Sequence, residues 1–196
     1  SPPIAPPSPP PSPHPPGDVM SVNTTAELLF AIFGTAIPNI TLSGGTYALS
    51  GELVLSRDVV LRAAPNATVV IRQQAGRVIH VQPAVVSLIG LEIRGGRLGR
   101  HGRGGGVYVA SGARLTLIGI TVTGNHVGNS DYWIGAPGSG GGIYIAGGTT
   151  VMMDGCTVSG NSADYMGSGG GITNDGHLLL RNTLLTGNGG RGSCDQ

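Results

Sequence analysis

From about residue 40 onward the chain is built of short apolar runs bounded by glycine. TYAL, ELVL, DVVLR and ATVVIR come first; VYVA, RLTLI, ITVT, IYIA, TTVMM and CTVS follow. Runs of this length, rich in β-branched residues, are strands, and none is long or periodic enough for a helix. The later runs repeat. GGGVYVASGARLTLIGITVTGN (104–125) returns as GGGIYIAGGTTVMMDGCTVSGN (140–161) and, shortened, as GGGITNDGHLLLRNTLLTGN (169–188). The starts lie 36 and then 29 positions apart, a period that marks a repeat architecture. Three short strands per copy, stacked copy on copy, predict an all-β fold: a parallel β-helix of about five or six turns.

Aligning the copies on their last residues, Asn125, Asn161 and Asn188, sets a register. Gly119, Gly155 and Asn182 then share one column, and Gly90 takes the same place in the earlier run VVSLIGLEIRGG. These residue types tolerate the left-handed region, so the column predicts a corner with positive φ. Strand alternation after the corner sends Ile120, Cys156 and Thr183 inward, with Val122, Val158 and Leu185. It sends Thr121, Thr157 and Leu184 outward, with Thr123, Ser159 and Thr186. The three asparagines are not glycosylation sequons, and a hydrogen-bonded stack at a corner is expected of them.

The GGGVY…TGN and GGGIY…SGN units resemble the repeats of polymorphic outer-membrane proteins and the wider right-handed, pectin-lyase-like β-helix superfamily. The resemblance covers roughly residues 40–188 and implies a right-handed single-stranded parallel β-helix. It implies no one function, because that scaffold carries lyases, hydrolases, adhesins and structural proteins.

Ahead of the repeats, Thr24-Thr25-Ala26-Glu27 reads as a capping box. Leu28, Leu29, Ile32 and Phe33 follow at helical spacing, and Gly34 closes the segment. A short amphipathic helix just before the first strand is expected to cap the β-helix and cover its strand edges. Earlier still, residues 1–16 hold ten of the 14 prolines and predict a polyproline II arm. The chain thus divides into the arm (1–17), the capping helix and lead-in (18–39) and the β-helix (40–196). The SPP and PSP pattern resembles hydroxyproline-rich extracellular glycoproteins such as extensins and pherophorins. That resemblance implies O-linked glycan at Pro2, Pro3, Pro6, Pro7, Ser8, Pro9, Pro10, Pro11, Ser12 and Pro13.

Three sequons, at Asn23, Asn39 and Asn66, fall in the first 68 residues and none falls later. They point to a secreted glycoprotein with N-linked sugar at one end, on a cell surface or in a wall. A formal net charge of +1 with 11% charged residues gives no footprint for nucleic acid or an anionic membrane surface. No apolar run reaches the roughly 18 residues that membrane insertion needs. Of the two cysteines, Cys156 falls in an inward column and is expected to be buried, and Cys194 lies beyond the last repeat.

Candidate chemistry is sparse. Enzymes of the resembled superfamily use clustered acids with a basic residue, or paired aspartates with a histidine, and the ten acids here are scattered. Asp154 and Arg181 share a column and predict a cross-turn ion pair. His101 and the stretch 174–177 match no family motif. The outward threonines suggest an ice-binding row, but Glu92, Arg94 and Leu184 interrupt it. Tyr132 and Trp133 in one interrupting loop, with Tyr165 and Met166 in the next, are expected to form an aromatic interaction surface. No metal ligand set, cofactor or catalytic residue is predicted. The function expected is that of a structural extracellular glycoprotein subunit. It would assemble with other copies of itself into a fibre or surface layer through the arm and the β-helix body. The alternatives are a polysaccharide lyase or hydrolase, or a carbohydrate- or ice-binding module.

Overall fold

The computed structural model describes residues 18–99, 101–128, 138–164 and 168–190. The fold is mostly β, with parallel pairing throughout its named strands and one short helix. Sheet 1 runs, in spatial order, Val19–Val22, Asn39–Leu42, Val59–Ala63, Val85–Ile89, Arg114–Ile118, Thr150–Asp154 and His177–Arg181. Sheet 2 runs Gly45–Leu49, Val69–Gln73, Leu91–Arg94, Thr121–Thr123, Thr157–Ser159 and Leu184–Thr186. Sheet 3 runs Leu53–Leu55, Ile79–Val81, Val107–Val109, Ile143–Ile145 and Ile172–Asn174. A small fourth sheet joins Arg97–Leu98, His126–Val127 and Ser162–Ala163. The chain visits sheets 1, 2 and 3 in a fixed rotation, and each pass lays one strand on each sheet.

One core fills the space between the sheets. The inward columns stack like on like: Ile40, Leu61, Leu88, Leu117 and Met153 in sheet 1, and Ile71, Ile93, Val122 and Val158 in sheet 2, are all buried. Removing such columns from water at about 25 cal/mol per Å² is the main favourable term in this fold. Small branched side chains suit it, because each must fill only the gap between neighbours one strand spacing apart.

Helix α1, Thr25–Phe33, has the predicted capping box: Glu27 N–H donates to Thr24 Oγ1, and the Glu27 carboxylate accepts from Thr24 N–H. Leu28, Ala31 and Ile32 face the core. Arg57 donates to the carbonyls of Ala31 and Ile32, satisfying the last turn and placing a cation at its negative end. Gly34 ends the helix through lack of room, not left-handed geometry. Its φ is −102°, and a Cβ there would meet the Phe30 carbonyl and ring.

One expectation is corrected. The helix does not precede the first strand. Val19–Val22 comes before it and pairs in register with Asn39–Leu42, so α1 is inserted between two strands of sheet 1. It packs against Val19–Val22 and Gly45–Leu49. Among the described residues, sheet 2 has no strand beside Val19–Val22, and α1 stands on that side.

Candidate functional site

The corner column has the expected backbone: φ is 69° at Gly90, 59° at Gly119, 62° at Gly155 and 46° at Asn182. Just past it lies a buried asparagine ladder. Asn125 N–H and Nδ2 donate to Asn161 Oδ1, and Asn161 N–H and Nδ2 donate to Asn188 Oδ1. Each amide also bonds carbonyls of its own or the previous pass, as Asn161 Nδ2 does with Val122 and Ser159. The GGG triplets make room for it. A Cβ on Gly142 would lie 2.6 Å from the Gly171 carbonyl and 3.0 Å from Asn161. The ladder holds the passes in register; it is architecture, not chemistry.

Aromatic and charged side chains gather on the outer face of sheet 3, where sequence reading placed no site. His80, Tyr108 and Tyr144 stand in one column. The two tyrosine rings stack with centroids 5.5 Å apart and planes 3° from parallel, and His80 meets Tyr108 edge-on at 5.1 Å. Arg77 lies 4.8 Å over the Tyr108 ring and Arg103 lies 5.0 Å over Tyr144. Arg77 is also clamped: it donates to Glu52 at 2.6 Å and to the carbonyls of Arg103 and Gly104. Tyr144 donates to Asp175. Burial first, and then this bond to a carboxylate, raise the Tyr144 pKa above the usual phenol value. The available signal was the recurrence of tyrosine four residues into GGGVY and GGGIY, one column with His80 of the preceding pass.

The carboxylates of this face stand far apart. Glu52 serves His80 and Arg77 from beside the first strand of sheet 3, whereas Asp175 serves Tyr144 from beside the fifth. Four strand spacings are on the order of 19 Å. A glycosidase pair that forms a covalent intermediate needs about 5–5.5 Å, and an inverting pair about 6.5–9.5 Å. A second cluster lies on sheet 4. His126 Nδ1 is 2.8 Å from Ser162 Oγ, and Nε2 is 3.6 Å from Asp164. At 3.6 Å the carboxylate does not hold the imidazole tautomer as a serine nucleophile requires.

The other expected sites fall as follows. Asn23 and Asn66 are exposed; Asn66 sits in a turn with φ 57°. Asn39 is half-buried within sheet 1, between Val19 and Val60. Asp154 stands opposite Arg181 in register, but its carboxylate accepts from Asn182 Nδ2 at 3.0 Å. Cys156 is buried with a free thiol whose pKa burial raises. The outward row pairs Glu92 with Thr121 and Thr157 with Leu184, so its threonines are flanked by a charge and a leucine. The glycan positions of the arm, the aromatic residues Tyr132, Trp133, Tyr165 and Met166, and Cys194 lie outside the described residues. Among the described residues, no three His, Cys, Asp or Glu side chains gather as a metal site. No protein-family model matches the chain, and no curated protein matches it.

Proposed function

We propose that the chain is a right-handed single-stranded parallel β-helix that serves as a structural subunit, secreted and glycosylated, and assembles with copies of itself through its body and its proline-rich arm. The observation that carries this reading is the repeated body: each described pass lays its strands on the previous one in the same order, and the buried amides of Asn125, Asn161 and Asn188 bond pass to pass. Passes in fixed rotation, held by a side-chain ladder, make a stiff rod whose growth needs no new kind of contact. Right-handedness rests on the strong preference of parallel crossover connections for that hand.

Sedimentation of the full chain over a wide concentration range tests the reading. Species should grow with concentration, and removal of residues 1–17 should weaken growth about tenfold. A single monomeric species at every concentration contradicts it. A second reading, a carbohydrate-binding face, is favoured by the stacked Tyr108 and Tyr144 under Arg77 and Arg103. Its check is retention on immobilised neutral and acidic polysaccharides, lost in Arg103→Ala.

A further inference from the structure

We infer that Arg72 and Arg94, on the outer face of sheet 2, bind an oxyanion: a sulfate, phosphate or carboxylate group held between two guanidinium groups. The site is separate from the sheet 3 face and does not rest on the structural reading above.

Three observations converge. The first is place. Arg72 and Arg94 stand opposite each other in register on Val69–Gln73 and Leu91–Arg94, the second and third of the six described strands of sheet 2. Ile71 and Ile93 beside them are buried in the core, so strand alternation turns both arginines outward. The second is charge. Glu92 is the one acid on the described strands of sheet 2, and it already has a partner: Arg94 Nε lies 3.4 Å from its carboxylate. Two cations therefore share one anion on this face. Like charges directly opposite on adjacent strands repel, and a bound anion would turn that repulsion into attraction.

The third is a donor without an acceptor. Arg72 Nε is buried and has no hydrogen-bond partner among the described residues. Such a donor is unfavourable, and more so on a charged group. On its other side Arg72 faces Ala48, whose methyl group offers no acceptor. Arg72 as a whole is half-buried, so a turn of its guanidinium brings Nε to an anion arriving from outside. The ligand that suits this pair carries negative charge on two or more oxygens. Adjacent strands lie about 4.8 Å apart, and an oxyanion accepting at about 2.8 Å from each side spans that gap. The planar fork of a guanidinium presents its N–H groups in pairs, which matches such oxygens. A neutral ligand would leave the excess positive charge in place.

Calorimetric titration of the full chain with inorganic sulfate, against chloride at constant ionic strength, tests the site. One saturable site is expected. Arg72→Gln and Arg94→Gln should each weaken it at least tenfold, and Arg114→Gln, an exposed position on sheet 1, should leave it unchanged. Glu92→Gln should strengthen it severalfold, because the anion no longer competes with a carboxylate for Arg94. Arg72→Lys keeps the charge and lacks Nε, so it should bind between the parent and Arg72→Gln; it also serves if Arg72→Gln does not fold, which circular dichroism checks. Sulfated and plain dextran separate the sources of the anion. Binding at least tenfold tighter per sulfate on sulfated dextran, absent with plain dextran and lost in Arg72→Gln, assigns the site to a group carried on a larger molecule. Equal affinity assigns it to the free ion. A parent chain without saturable sulfate binding, binding that survives Arg72→Gln and Arg72→Lys unchanged, or a weaker site in Glu92→Gln would each overturn the inference.

Discussion

At the residue scale, glycine does two different jobs in this chain, and substitutions separate them. At Gly119 nothing lies within 4 Å of an added Cβ, so the demand is conformational alone. Gly119→Val should cost about 1–2 kcal/mol, the strain of a β-branched residue at positive φ. Gly119→Asn should be nearly neutral, since Asn182 holds the same place at φ 46°. Denaturant midpoints of the two variants check this; equal losses would mean that side-chain volume matters there after all. Gly142 is the opposite case. Its Cβ would collide with backbone, so even alanine should destabilise it more than Gly119→Val does. The asparagines of the three sequons also part company. Asn66 and Asn23 offer exposed amides, and Asn39 is set between two strands. Peptide mass spectrometry of secreted protein should find glycan at Asn66 and Asn23, with Asn39 the least occupied.

At the element scale, the asparagine ladder is where the passes are joined most specifically. Asn161→Ala would strip the acceptor from a buried Asn125 N–H and the donor from the Val122 carbonyl. A loss of about 2–4 kcal/mol is expected, because buried polar groups left without partners cost about 1–3 kcal/mol each. A chemical-denaturation series measures it. The phenols of Tyr47 and Tyr144 make a second expectation. Burial is the first cause of a raised pKa in each. The unfolded chain ionises near 10.0 while the folded chain holds its protons. Their contribution to stability is therefore complete below that value and is lost as pH rises through the raised folded values. The alkaline fall should be shallower in Tyr144→Phe. Much of this scale was legible beforehand. Glycine and asparagine recur at fixed distances, so the corner, the strand alternation and the ladder could be counted out from residue 90 onward. Val19–Val22 could not, because VMSV has one clear inward residue, Val22, and its strand exists only through the edge of Asn39–Leu42. The sheet 3 face was missed for a different reason. His80, Tyr108 and Tyr144 are far apart in sequence, and only the register of three strands brings them together.

At the scale of the whole molecule, each described pass adds one strand to sheet 1, so the body has a single axis. A structural subunit built this way would assemble along that axis, and the spacing of copies along it would be its signature. The seven described strands of sheet 1 at about 4.8 Å would give a rise of about 34 Å per copy if the sheet continued unbroken from one copy to the next. Copies held apart by an extended arm of 17 residues at about 3.1 Å each would instead be spaced by about 50 Å. The axial rise of the assembled filament, measured by electron cryo-microscopy, decides between them. A rise near 34 Å with continuous strand spacing is the predicted result. A rise near 50 Å, or protein that stays monomeric under every assembly condition, would contradict the account.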